Sequence, residues 1–224
     1  WLERLLRPFE DPRVACAYGR QQGNAESKFS ERRLFAQLFP ERSNFQQGTM
    51  FCNNANCAIR RALWERRRYD ETLPGLEDLE WASWAIAQGH LLAYVADAEI
   101  VHVHRETLRQ VYNRHWREAL ALKRILPQSR IGPTQAIALT ITNVILDAVR
   151  AMREWQRVSV FGQIVLFRAA QYWGAYQGFR FRDDLTRAMM TRLYYPRQLR
   201  PFRRENIDEV VAGVVVDAGK RADP

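Results

Sequence analysis

Short β-prone stretches alternate with helical stretches up to about residue 105, and from Glu106 onward only helical patterns follow. That alternation restricts the first half to a layered α/β fold, because helices interleaved with strands must pack on the faces of a sheet. "WLERLLRPFEDP" reads as the end of an amphipathic helix stopped at Asp11-Pro12, since proline disfavours helical geometry in the residue before it. "RVACAYGRQ" carries small and β-branched residues up to Gly19 and predicts a buried strand. "NAESKFSERRLFAQLFPERS" predicts a polar loop and a short helix ended by Pro40. "QQGTMFCNNANCAIRRALWERR" predicts a Gly-bearing loop, a short strand and a further helix. "LLAYVADAEIVHVH" predicts two short strands separated by a turn at Ala96-Asp97.

The expected organisation is an α/β unit over 1–105, a helical extension over 106–204 and a frayed tail over 205–224. The apolar runs 136–149 and 158–167 are expected to be too short or too broken to span a membrane, which takes about 20 apolar residues. Asp147 and Arg168 interrupt them. "FRFRDDLTRAMMTRLYYPRQLRPFRR" interleaves Arg with Phe, Tyr, Leu and Met. It suits either an interfacial helix on an anionic membrane surface or a solvated basic face over an ordinary core helix.

The net charge of +9 favours anionic partners: nucleic acid, membrane or a phosphorylated substrate. Charge alone supports nucleic acid, and no nucleic-acid motif is present, so none is expected as a partner. Cys16, Cys52 and Cys57 are odd in number and lack C-x-x-C spacing, which points to a reducing, cytoplasmic setting. The opening at Trp1 reads as the interior of a fold, so the chain is expected to be a piece of a longer protein.

"LPGLEDLEWASWAIAQGH" places Glu77 and Asp78 at the start of a helix rich in Trp and Ala. A helix dipole stabilises acids there by about 0.3 to 1 kcal/mol whatever the function. The helix is apolar nearly all round, however, which sets the acids at the edge of a core. An aspartate there, ionised at neutral pH from a reference pKa of about 3.9, can act as a general base. In "EIVHVHRE" a period of two puts His102 and His104 on one face. They offer a metal ligand, a phosphate donor or local hydrogen bonds. Asn53, Asn54 and Asn56 are expected at a strand-to-helix junction, either as caps or, with the Gly48 loop, as hydrogen-bonding partners of a sugar or its diphosphate. The sequence has no G-x-x-x-x-G-K-[ST], G-x-G-x-x-G or G-x-S-x-G, which removes the common nucleotide-binding and hydrolase readings.

The ordered set Asn53 to Trp64, Tyr69-Asp70-Glu71, Gly75, Glu77-Asp78 and His102 with His104 resembles the second half of the catalytic domain of family 2 glycosyltransferases of the GT-A fold, especially their bacterial rhamnosyltransferase-like branch. The resemblance covers roughly residues 1 to 110 and implies a mixed, Rossmann-like sheet with flanking helices. It implies inverting hexosyl or rhamnosyl transfer from a nucleotide-sugar donor to a glycan or lipid-linked acceptor, in bacterial cell-envelope polysaccharide synthesis. Asp78 would be the base, with Glu77, Trp81, Asn54 and Asn56 on the acceptor. Gly48, His102 and His104 would face the donor diphosphate, the two histidines also approaching a divalent metal, Mg or Mn. The family's D-x-D metal motif and nucleotide-binding half are missing from these residues, so the chain alone is expected to be inactive. The expected location is cytoplasmic, peripheral at the inner face of the membrane. The alternative is a non-catalytic membrane-surface or partner-binding module derived from such a transferase.

Overall fold

Residues 14 to 19 are all buried, and three of them are Ala15, Cys16 and Ala17, small enough to be covered on both faces. They form the first part of a central strand, β1 (Val14–Gln22). The computed structural model describes residues 1–182, which make one compact unit. Before β1 come α1 (Leu2–Leu6) and a 3-10 turn (Arg7–Glu10), and after it come α2 (Phe29–Leu38) and β2 (Asn44–Gln47). A 3-10 turn (Asn54–Asn56) leads into β3 (Cys57–Ile59), followed by α3 (Arg61–Arg66), α4 (Glu77–Ala87) and β4 (Leu91–Val101). The sheet has the order β2-β4-β1-β3, with β1 and β4 parallel and the two outer strands antiparallel to their neighbours. The fold is therefore mixed α/β, as the alternation predicts.

One sheet face packs Cys16, Tyr18, Leu92 and Tyr94 against Phe35 of α2, Phe39 just after it, and Trp81, Ala82 and Ala85 of α4. The other packs Val14, Ala17, Ala93 and Ala98 against Leu5 of α1. The expected turn at Ala96-Asp97 does not form. β4 runs on, with Ala96 and Ala98 inward and Asp97 and Glu99 outward, and only its register against β1 slips, between Val95 and Ile100. A side chain at Gly19 would collide there: its Cβ would lie 2.0 Å from the Ala98 carbonyl oxygen and 2.3 Å from Asn56 Nδ2.

After β4 come α5 (Leu108–Ile125), α6 (Pro133–Arg153) and α7 (Ser159–Arg180). Thr107 and Gln110 close a reciprocal capping box at the start of α5. Gly174 and Gly178, one helical turn apart on α7, let it approach α5 so closely that a Cβ would sit 2.5 Å from the Tyr112 carbonyl oxygen and 2.3 Å from that of Trp116. The run expected to be too broken to span is one 21-residue helix, α6, long and apolar enough by length and composition to cross a membrane. Its interrupting charge is neutralised: Asp147 Oδ2 accepts Arg168 Nε at 2.8 Å, with both side chains buried. The basic stretch expected as an interfacial helix lies, from residue 183 onward, outside the described residues, as does the 205–224 tail.

Candidate active site

Gly75 (φ 151°) and Leu76 (φ 58°) turn the chain sharply into α4, and Leu76 holds a left-handed conformation that is uncommon for a bulky residue. The turn delivers Glu77 and Asp78 to the helix start. Asp78 Oδ1 accepts the N–H of Leu79 and Oδ2 that of Asn54, both at 2.8 Å. Burial pushes the Asp78 carboxyl up to about 6, the Glu77 charge adds to the rise, and the two N–H bonds oppose it. That rise brings Asp78 toward the range in which a general base works best. Asn54 also accepts the Tyr69 hydroxyl on Oδ1 at 2.7 Å. It lines a cleft of about 330 Å³ together with Cys57, Ile59, Arg61, Trp64 and Tyr69.

A second chain of bonds reaches the same turn from the histidines. Asn53 Oδ1 accepts the Ala55 N–H at 3.1 Å and Gln21 Nε2 at 2.8 Å. Gln21 thus presents Oε1 to His102 Nδ1, at 2.6 Å, so Nδ1 must carry the proton and Nε2 the lone pair. Burial, and then the His104 ring, lowers the His102 pKa and keeps the imidazole neutral. His104 Nδ1 meets the Glu31 carboxylate at 2.6 Å, which leaves its Nε2 as the acceptor when the ring is neutral. The two rings lie 4.3 Å apart between centroids, and both pack on Phe35 of α2. Both histidines follow the end of β4 instead of lying within a strand, although the His102 N–H extends the ladder to the Gln22 carbonyl. Sequence reasoning missed Gln21; its only signal was a polar pair closing an otherwise buried strand.

Two expected acceptor ligands are structural. Trp81 is 1% exposed and donates its indole N–H to the Arg67 carbonyl at 2.7 Å, so it belongs to the core and has no face for a sugar. Asn56, 2% exposed, spends its amide on the carbonyls of Arg20 and Ala98 and its carbonyl on the Trp1 indole. The asparagines precede β3 and do not join a strand to a helix, because Asn53 caps the 3-10 turn. Glu77 and Asn54 remain accessible. Gly48 is exposed after β2, at the sheet edge opposite β3, and a Cβ there would meet nothing within 4 Å, so no close approach demands a glycine.

Among the described residues two groups could hold a metal ion. One is Glu31, His104 and Glu106, with the Arg114 guanidinium already 3.5 Å from Glu31 and 2.9 Å from Glu106. The other is the thiol trio Cys16, Cys52 and Cys57, whose sulfurs lie 3.2 to 3.7 Å apart beneath the Asn54 turn. The sequence hid that trio, because pairing of β1 with β3 assembles residues spaced too far apart for a motif. No family profile, curated protein or solved structure matches this chain. The class defined by fold and geometry is a mixed α/β protein with a half-buried carboxylate of raised pKa beside an open cleft.

Proposed function

We propose that this chain carries the acceptor side of an inverting glycosyltransferase of the GT-A fold. The raised pKa of Asp78 beside the Asn54 cleft is the observation that supports it most. In the proposed step Asp78 takes the proton of the acceptor hydroxyl, whose oxygen bonds to the anomeric carbon as the bond to the nucleoside diphosphate breaks and that group leaves with the electron pair. Glu77 and Asn54 orient the acceptor, a glycan or lipid-linked saccharide. His102 and His104 have Nδ1–H fixed by Gln21 and Glu31, the arrangement typical of metal-ligating imidazoles, and would hold a divalent metal through Nε2. When bound, Mg or Mn offsets the charge of the departing diphosphate. The 224 residues contain no D-x-D, so under this reading other residues complete the donor site. The setting that goes with it is the cytoplasmic side of a bacterial envelope.

The test is sugar transfer from a panel of labelled nucleotide sugars to extracted envelope lipids and glycans, catalysed by the open reading frame that contains these residues. Transfer that Asp78→Asn abolishes, with folding intact by circular dichroism, supports the reading. Transfer that survives it favours the non-catalytic alternative for this segment. Turnover by the 224-residue chain alone contradicts the placing of the donor site on other residues.

A further inference from the structure

The α6–α7 pair buries a charged pair while leaving large apolar side chains exposed. Its inward faces carry Asp147, Arg168 and Gln171 alongside Ala136, Ala151, Ile164 and Phe167, with Thr140 and Asn143 half-buried. Arg168 is locked to Asp147 by its Nε and to Gln171 Oε1 by Nη1, each at 2.8 Å. The outward faces carry Ile137, Ile141, Ile145, Leu146, Met152, Leu166 and Trp173, each more than half exposed. An exposed patch of this kind on a folded chain marks a binding surface.

The distribution of charge identifies what covers it. Between Arg130 and Arg150 the only charged residue is Asp147, and between Arg157 and Arg180 the only one is Arg168; these two are the buried pair. The outward surface is thus free of charge along both helices and is bracketed by exposed Arg130 at one end of α6 and, at the other, by Arg150, Arg153 and Arg157, of which Arg150 is paired with Glu154. Trp155, 93% exposed, sits in that second cluster at the connection between the helices. An apolar band edged by arginine and tryptophan matches the acyl region, phosphates and interfacial layer of a bilayer.

The packing also fixes the orientation. Near the connection, Ala151 and Ile164 close on Phe29 of α2, and the Phe29 N–H bonds to Gln163 Oε1 at 3.1 Å. At the far end of α7, Gly174 and Gly178 close on α5. Both ends of α7 are therefore held by the same water-facing body, and the pair cannot cross a bilayer while its connection stays on α2. We infer that α6 and α7 form an in-plane membrane anchor, with the exposed Ile, Leu and Met side chains sunk into one leaflet and the arginines at its phosphates. This placement does not depend on the transfer reaction proposed above.

Flotation of the full chain with preformed phosphatidylcholine vesicles at high salt, where attraction of basic segments to a surface is screened, tests it. The chain should float, and a variant with Ile141→Glu and Ile145→Glu, both on the outward face, should stay with the soluble fraction at least tenfold more with an unchanged circular dichroism spectrum. A parent chain that stays soluble overturns the inference. So does a variant that floats as well as the parent, or one that only converts a lipid-free dimer to a monomer. For the orientation, Trp155→Cys in vesicle-bound protein should react with an externally added impermeant maleimide above the background of the native thiols. Protection of that cysteine would mean a spanning hairpin and would overturn the in-plane placement.

Discussion

Asp78 Oδ2 accepts the backbone N–H of Asn54 at 2.8 Å, which ties the start of α4 to the turn in front of β3. With its pKa pushed up to about 6 by burial, Asp78 could not serve as the base of the proposed transfer once protonated. Transfer measured as kcat/KM should fall about tenfold per pH unit below that value, and Asp78→Asn should lower turnover by about 10² to 10⁴. A pH–rate profile that stays flat down to about pH 5 would remove Asp78 from the reaction.

The same shift couples to stability with a definite sign. The unfolded chain releases the Asp78 proton near 3.8, whereas the folded chain keeps it to about 6. Between those values the unfolded state binds fewer protons, so this residue makes stability fall as pH rises through the window. Asp78→Asn removes the titrating group. Urea unfolding should therefore show the variant losing less stability from about pH 4 to about pH 6 than the parent, by at most about 3 kcal/mol.

The sheet was legible because Val14 to Gly19 and Leu92 to Ala96 carry their burial in their composition, and α4 because a Pro-Gly turn and an acid pair precede a run rich in Trp and Ala. Asp97 was read as a turn residue, yet it is the outward position of a continuous strand, a distinction that depends on which neighbour the strand meets. Asp78 was legible as a helix-start acid and a candidate base. Its raised pKa was not, since burial there arises from packing with residues distant in sequence. Trp81 and Asn56 were misassigned for the converse reason: an aromatic beside an acid pair and an asparagine in a turn look alike whether they face a cleft or the core. The buried pairing of α6 with α7 was invisible while Asp147 and Arg168 were taken as two interruptions, because only the packed helices bring them together.

Gln21 is the single link between His102 and the Asn53 turn. Gln21→Ala should cost about 1 to 3 kcal/mol, since it leaves His102 Nδ1 and part of the Asn53 carbonyl capacity without a partner in a largely buried site. It should also free the His102 ring, changing its Nδ1 chemical shift, while His104, held by Glu31, keeps its own. Nitrogen NMR of the two imidazoles distinguishes this from general loosening, which would move both.

Gly178→Ala should destabilise by about 1 to 3 kcal/mol, because the added methyl would lie 2.3 Å from the Trp116 carbonyl oxygen and 2.7 Å from Ala119 Cβ and would force α7 away from α5. Gly132→Ala, where nothing lies within 4 Å, serves as the matched control in the same thermal denaturation experiment. Equal melting temperatures for the two variants would contradict the close helix contact.

Asp147 and Arg168 make a pair that is expensive to break and cheap to replace. Their side chains are 2% and 0% exposed, so neither charge has water to fall back on. Asp147→Ala strands the guanidinium with only Gln171 Oε1 at 2.8 Å and the more distant Ser30 carbonyl at 3.5 Å, and should cost about 3 to 5 kcal/mol. Joint replacement, Asp147→Leu with Arg168→Met, removes both desolvation costs and keeps the volume, so it should recover most of that loss. The double variant should also float with vesicles as the parent does, since the pair faces inward and the outward band is untouched. Unfolding of the parent, the single and the double variant in the same detergent-free buffer gives the coupling between the two positions directly. A double variant no more stable than Asp147→Ala would show that the pair holds α6 on α7 by more than charge balance.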